Sequence, residues 1–167
     1  MDVSIRPERA DDAAVIRSVT QAAFRLNSHS SGTEGAIIDA LREAGVLMLS
    51  LVAVTGDAVV GHIAFSPVTI DGDHRRWFGL GPVAVRPDLH GRGIGGALIR
   101  EGLARLRQAG AKGCVLAGDP DYYRRFGFAH DPGLRYADVP AEYFMRLMFD
   151  EPAPTGQVRF HAGFDAR

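Results

Sequence analysis

A glycine-rich segment in the middle of the chain is the part of the sequence that most directly suggests chemistry. The stretch His90-Gly91-Arg92-Gly93-Ile94-Gly95-Gly96 places four glycines within six positions, at the start of a helical pattern in which glycine is costly. Such glycines make sense where the backbone must approach a ligand closely. Because the free amides and the positive dipole end of a helix N-terminus attract anions, the segment predicts a pyrophosphate-binding loop.

The same loop has competing interpretations. Its glycines are also compatible with close packing of the helix on a sheet. A Rossmann-type site would lie near the first strand of a parallel unit and carry an acidic residue about 20 residues on, whereas this loop is in mid-chain and residues 110–116 contain no acid. A Walker loop is excluded, because no Gly-Lys-Ser/Thr follows the glycines.

Scattered ligand residues argue against a metal site. Cys114 is the sole cysteine, which excludes an internal disulfide, and the six histidines lack ligand spacing, so we expect no bound metal. Cys114 also stands in a short apolar run, where a buried thiol is normally inert. A role of Cys114 as a catalytic nucleophile is therefore the less favoured interpretation.

The composition describes an ordinary globular domain. The chain has 167 residues, 46% of them hydrophobic and 23% charged, with a net charge of −1 and a pI near 6.6. We expect one domain over residues 1–167 and no nucleic-acid partner. The acidic start Met1-Asp2 is unlike a signal peptide, and the apolar run 46–54 is too short to cross a bilayer, so we expect a cytoplasmic protein without a membrane partner.

Hydrophobic periodicity and turn signals predict the elements that hold the loop. Strands are predicted at residues 3–6, 46–54, 58–70, 77–85, 114–117, 143–149 and 158–160. Helices are predicted over residues 12–26, 34–44 and 94–109, with a brief one at 122–126. Ser31 and Glu34 have the spacing of a capping box at the second helix.

This order, β-α-α-β-β-β-α-β-α-β-β, indicates an α/β fold with one mixed, mostly antiparallel sheet and helices on both faces. Pro82 lies inside the strand that precedes the loop. Because proline cannot donate to a strand ladder, it predicts a bulge or an edge at that point.

Two motifs resemble the GCN5-related N-acetyltransferase (GNAT) superfamily. The run Leu80-Gly81-Pro82-Val83-Ala84-Val85-Arg86-Pro87 and the glycine-rich loop resemble its central motif, in which the pattern Gln/Arg-x-x-Gly-x-Gly/Ala falls on residues 90–95. His90 stands where the family has glutamine or arginine. Downstream, Tyr123-Arg124-Arg125-Phe126-Gly127-Phe128 is similar to the family's Tyr-x-x-x-Gly-Phe. The resemblance covers residues 2–150 and is strongest to small bacterial members.

The resemblance implies a splayed sheet that binds acetyl-CoA as cosubstrate. Backbone groups of the bulged strand would hold the pantetheine arm, and the loop amides would hold the pyrophosphate. Arg92, Arg124 and Arg125 are candidate phosphate contacts, with Arg92 preferred because it lies inside the loop. The implied cofactor-binding residues are Val83, Ala84, Val85, His90, Gly91, Arg92, Gly93, Ile94, Gly95, Gly96 and Tyr123.

The resemblance also implies direct transfer of the acetyl group to a primary amine. By family position Tyr123 is the general acid for the departing thiolate, although an aromatic ring packed on the sheet is the alternative. Glu34 is the candidate general base, with helix capping as its alternative role. His62, Asp119 and a chain of waters are further candidates for the base, and the sequence does not rank them.

Other functions share the same loop. A GNAT module that senses CoA without catalysis is the main alternative, and a nucleotide-dependent oxidoreductase is a third possibility. The presence of a tyrosine at position 123, where the resemblance implies the general acid, favours the enzyme over the CoA-sensing module. The acceptor is expected to be a small-molecule or peptide amine of unknown identity. Whether the C-terminal strands pair with a second chain is open, so a homodimer and a monomer are equally expected.

Overall fold

The computed structural model describes residues 2–27, 30, 32–150 and 152–167. Its strands are β1 (Ser4–Pro7), β2 (Leu49–Thr55), β3 (Ala58–Ile70), β4 (Trp77–Val85), β5 (Gly113–Ala117), β6 (Leu134–Arg135), β7 (Phe144–Met148) and β8 (Gly156–Phe160). Its helices are α1 (Ala13–Arg25), α2 (Glu34–Glu43), α3 (Ile94–Gln108) and α4 (Pro120–Tyr123). Short 3-10 turns join several of these elements.

The sheet is mixed, as predicted. Its strands follow the order β1-β2-β3-β4-β5-β7. Antiparallel pairs join β1 to β2, β2 to β3, β3 to β4 and β5 to β7, whereas β4 and β5 run parallel across the α3 connection. The C-terminal strand β8 pairs with β3 and β6, so both late strands find partners within the chain.

The bulge predicted at Pro82 is present. The ladder between β3 and β4 pairs Ile63 with Val83 but Phe65 with Leu80. Two steps along β3 therefore correspond to three along β4, so the extra residue lies in the segment that contains the cis Gly81–Pro82 bond. An extra residue bends the bulged strand and increases its twist, which redirects the second half of β4.

The two parallel strands separate beyond this bulge. Pairing between β4 and β5 covers only Trp77 to Gly79 against Gly113 to Val115. Past that point β4 continues along β3, while β5 continues along β7. The sheet therefore opens into a V-shaped cleft whose arms are the C-terminal halves of β4 and β5.

Helices cover both faces of the sheet. On one face α3 buries Leu98 and Ile99 against a core that includes Ile63 and Phe65. On the other face Ile16 of α1 and Ile38 of α2 pack with residues of β2 and β3. A third cluster, formed by β6, β8 and the loop before β7, covers the remainder of β4 and β5.

The structure departs from the predicted elements in small ways. β2 begins at Leu49 rather than at residue 46, and the two-residue strand β6 was not predicted. Ser31 of the predicted capping box lies outside the described residues; Thr33 occupies the N-cap, and Ser30 Oγ donates to Glu34 Oε1 at 2.7 Å. In the described part of the chain, no helix is long and apolar enough to cross a membrane.

Candidate active site

A cavity of about 520 Å³ lies where the open arm of β4 meets the N-terminus of α3. The C-terminal part of α1 and the segment around α4 complete its wall. Its lining residues are Ala23, Phe24, Asn27, Val83, Ala84, Val85, Leu89, His90, Gly91, Gly93, Ile94, Gly95, Gly96, Ile99, Arg100, Tyr122, Arg125 and Phe126. Nearly all residues of the predicted loop thus border one space.

The loop adopts a backbone that requires glycine. Gly91 and Gly93 have φ angles of 79° and 83°, in the left-handed region that L residues with a side chain avoid. Gly93 is the N-cap of α3, and its carbonyl accepts the first helical bond from Ala97 N at 3.0 Å. The amides of the first helical turn have no partner within the helix, so this end of the cavity has the geometry of an anion-binding site.

The packing interpretation does not fit Gly91, Gly93 and Gly95, whereas a Cβ on Gly96 would lie 3.1 Å from Arg100 Nη1, the end of a flexible side chain. A Cβ built on Gly91 or Gly93 would meet no heavy atom within 4 Å, and one on Gly95 would meet only ordinary contacts at 3.7 Å. Gly102, further along α3, is the contrasting case, because its Cβ would lie 2.4 Å from the Phe65 ring. The loop glycines therefore keep open space for a ligand, whereas Gly102 allows the helix to approach the sheet.

The open edge of β4 offers further main-chain groups. Arg86 N donates to Val60 O at 2.8 Å, and Ala84 pairs with His62 of β3. Because successive residues of a strand direct their peptide groups to opposite sides, those of Val83 and Val85 face the cleft. This is the arrangement predicted for binding the pantetheine arm.

His90 uses its side chain within the protein. Its Nε2 lies 2.6 Å from Val85 O, so the imidazole joins the loop to the end of β4. This bond also occupies one of the carbonyls that face the cleft. The His90 side chain therefore fixes the position of the loop relative to β4. The backbone amides that could bind an anion come from the neighbouring residues of the loop.

The arginines at the cavity differ from those favoured by the sequence. Arg92 and Arg124 are exposed and do not line the cavity, whereas Arg125 does. Arg100 also lines it, with its guanidinium 5.0 Å from the centre of the Phe126 ring. Arg125 packs 4.6 Å from the centre of the Tyr122 ring and donates to the Tyr122 carbonyl.

The two adjacent tyrosines occupy different places. Tyr122 lines the cavity. Tyr123 packs against Phe126 and Phe128, and its ring covers Gly118, whose Cβ would lie 2.5 Å from it. Since Gly118 follows directly after β5, Tyr123 lies beside the second arm of the cleft. Burial raises the pKa of Tyr123 to about 12, so the phenol is protonated and able to donate.

The candidate bases are spread over the structure. Glu34, at the start of α2, and His62, buried in β3, are both outside the cavity wall. Asp119 caps α4 by accepting from Asp121 N at 2.9 Å, which is the capping role considered for it. Cys114 is fully buried, and burial raises the pKa of its thiol. A thiolate is therefore strongly disfavoured, which argues against covalent catalysis.

Some lining residues were not singled out from the sequence. Arg100 is one of them, and it lies one turn after Gly96. Residues four apart share a helix face, so the spacing between the loop and Arg100 was the available signal. Leu89 and Ile99 carry no comparable signal, because they resemble ordinary core residues. Groups of histidine, cysteine or carboxylate that could hold a metal are absent from the described residues.

Comparisons with known proteins agree with this geometry. A family model described as an acetyltransferase (GNAT) domain matches residues 4–130. The uncharacterized N-acetyltransferase YhbS of Escherichia coli K12 is 34% identical over 168 residues, covering 96% of this chain and 98% of the relative.

Two solved structures share the whole fold. A GNAT family acetyltransferase from Brucella melitensis, crystallised in complex with acetyl-CoA, is 55% identical, with a TM-score of 0.89 over 98% of this chain and 99% of the other. The structure of Escherichia coli YhbS in complex with CoA is 33% identical, with a TM-score of 0.90 over 98% and 92% of the two chains.

Proposed function

Because this chain belongs to the GNAT acetyltransferase family, we propose that it transfers an acetyl group directly from acetyl-CoA to a primary amine. The observation that carries the proposal is the cavity in which the glycine loop, the open edge of β4 and Tyr122 face one space. The relatives crystallised with acetyl-CoA and CoA support the choice of cosubstrate.

The residues present fit this cosubstrate. Amides of the loop and the first turn of α3 receive the pyrophosphate, where the absence of side chains at Gly91, Gly93 and Gly95 leaves room for it. The guanidinium groups of Arg100 and Arg125 add positive charge at the same wall. The N–H and carbonyl of Val83 and the N–H of Val85, whose carbonyl is taken by His90, bind the amides of the pantetheine arm, so the thioester lies between β4 and β5.

The groups around the cleft can support each step of acetyl transfer. A neutral amine attacks the thioester carbonyl, and a backbone amide near the bulge stabilises the oxyanion. The departing thiolate needs a proton, for which the phenol of Tyr123 is the candidate donor. Its position beside the arm formed by β5 supports that role, and its raised pKa keeps it protonated until charge develops on sulfur.

The experiment separates catalysis from binding. We expect acetyl-CoA to raise the melting temperature and a panel of small-molecule and peptide amines to include at least one that releases CoA thiol. Mass spectrometry should find the acceptor heavier by one acetyl group. A melting shift with acetyl-CoA but no turnover on any amine class would refute the proposed acetyl transfer and favour a module that senses CoA without catalysis. A rise in melting temperature with NAD and none with acetyl-CoA would refute both the acetyltransferase and the CoA-sensing module.

A further inference from the structure

A chain of hydrogen bonds leads into the sheet on the face covered by α1 and α2. Arg42 donates from Nε and Nη2 to the two carboxylate oxygens of Glu8, each at 3.0 Å. Ser50 Oγ contacts Glu8 Oε1 and lies 2.7 Å from His62 Nε2. Glu8 is partly exposed and His62 is fully buried, so these side chains connect the protein surface with the interior of β3.

The donors and acceptors of this chain fix the tautomer of His62. Burial acts to raise the pKa of Glu8, but hydrogen bonds from Arg42 and Ser50 outweigh it and lower that pKa, so the carboxylate only accepts. The one hydroxyl proton of Ser50 must therefore go to Glu8, and Ser50 Oγ accepts from Nε2–H of His62. Nδ1 of His62 consequently carries a free lone pair.

That lone pair is buried without a hydrogen-bond partner. Among the residues that the structure describes, the buried side-chain polar atoms in this condition are His62 Nδ1, Thr20 Oγ1 and Ser66 Oγ. Buried polar atoms in folded proteins are nearly always paired. An acceptor such as His62 Nδ1 and a hydroxyl such as Thr20 Oγ1 can both bond one molecule between them.

The strand register and the packing of α1 place these two residues next to residues that line the cavity. His62 lies between Val52 of β2 and Ala84 of β4, and Ala84 lines the cavity. Thr20 approaches the same point from α1, because Ile16, one turn earlier, packs with Val52. The turn of α1 after Thr20 lines the cavity. His62 and Thr20 thus lie directly behind the wall of the site.

We propose that His62 Nδ1 accepts the proton of the attacking amine through a water that Thr20 Oγ1 also holds. Ser50 and Glu8 are positioning residues, since they act by fixing the tautomer of His62. This inference rests on the acetyl transfer proposed above and assigns the base that the sequence left open.

The proton balance closes within the site. As the new N–C bond forms and the C–S bond breaks, one proton leaves the amine nitrogen for His62, and Tyr123 protonates the thiolate. The imidazolium then returns its proton through solvent to the tyrosinate. Glu8, whose Oε1 lies 3.9 Å from Nε2, offsets the transient positive charge.

The charges around His62 keep its lone pair available. Burial first, and then the positive charge of Arg42, lower its pKa to about 4, whereas Glu8 and Asp12 act to raise it. The imidazole is therefore neutral throughout the physiological range. The pH profile of kcat should show no loss of activity from protonation of His62 above about pH 5, one unit above that pKa.

Two variants separate the relay from structural roles. His62→Gln keeps an N–H donor toward Ser50 and removes the basic nitrogen, so kcat should fall at least roughly tenfold with an unchanged KM for acetyl-CoA. Thr20→Val keeps the shape of the side chain but removes the hydroxyl that holds the water, so kcat should fall while acetyl-CoA affinity is kept. His74→Gln, a histidine outside the cavity wall, is the matched control and should keep the wild-type kcat.

A wild-type kcat in His62→Gln or Thr20→Val would overturn the relay while leaving acetyl transfer intact. A second measurement needs no acceptor. The ¹⁵N spectrum of the imidazole at neutral pH should show a protonated Nε2 and a bare Nδ1, and Ser50→Ala should mix the two tautomers. The opposite tautomer in the wild type would overturn the proposal, even if no amine substrate had been found.

Discussion

Gly95 is a position where ligand binding and folding make opposite demands. It lies in the first turn of α3, and its φ is not in the left-handed region. A Cβ there would contact Tyr122 Oη and Val85 Cγ2 at 3.7 Å, which is ordinary van der Waals contact. The protein alone therefore accepts Gly95→Ala, but the new methyl group occupies space at the wall of the cavity.

The two effects can be given magnitudes. Alanine in place of glycine in a helix contributes up to about 1 kcal/mol, so the melting temperature of the free protein should stay constant or rise by roughly 2–4 °C. Acetyl-CoA should bind about 10- to 100-fold more weakly, because a charge-assisted hydrogen bond from the displaced amide contributes about 1.5–3 kcal/mol. Calorimetric titration and thermal denaturation measure the two quantities on the same sample.

Gly102→Ala is the matched control on the same helix. Its Cβ would lie 2.4 Å from Phe65, and overpacking of this kind costs about 1–3 kcal/mol, so the free protein should melt at a lower temperature. The folded fraction should keep its affinity for acetyl-CoA. Wild-type affinity in Gly95→Ala would refute the assignment of the loop as the ligand-binding segment, and a lowered melting temperature of its free form would contradict the open space found at Gly95.

Three further outcomes follow from the structure. Tyr123→Phe should lower turnover at least roughly tenfold with little change in acetyl-CoA affinity; steady-state kinetics with unchanged turnover would remove the phenol from the mechanism. Cys114→Ala should retain the kcat of the folded enzyme, and native Cys114 should resist alkylation, because burial raises its pKa; loss of kcat alone would revive an acyl-cysteine route. Asp12→Asn should destabilise the protein by about 1.5–3 kcal/mol at pH 7, because the hydrogen bonds from Arg6 lower the pKa of the buried Asp12. A lowered pKa gives stability that is present above the unfolded value of about 3.9 and is lost as the pH falls through the folded value, so urea titrations should show the difference between the two proteins shrinking below about pH 4.

The sequence predicts those features that depend on local patterning. Alternation and turn residues place β3 and β4 at their observed bounds, and Pro82 predicts the bulge because its missing N–H is a property of the residue itself. The glycines of the loop are predictable for the same reason. By contrast, β6 consists of two residues that form a strand only because they pair with β8. No local sequence pattern predicts it.

The site is less predictable than the fold, because it depends on contacts between distant segments. Glu8 precedes α1, Ser50 belongs to β2 and His62 to β3, and no spacing in the sequence connects these three residues. Only the register between β2 and β3, together with the docking of α2, brings them into one chain of hydrogen bonds. The sequence could therefore propose His62 as a base but could not rank it above Glu34 or Asp119.

The adjacent tyrosines show how one short helix serves both arms of the cleft. Successive residues of a helix point about 100° apart, so Tyr122 and Tyr123 cannot both face the loop. Tyr122 turns toward the loop, where Arg125 covers its ring. Tyr123 turns toward β5 and covers Gly118, a position where a Cβ would displace the ring. The glycine directly after β5 therefore lets the Tyr123 ring lie against that arm, while Tyr122 lines the cavity together with the glycine loop.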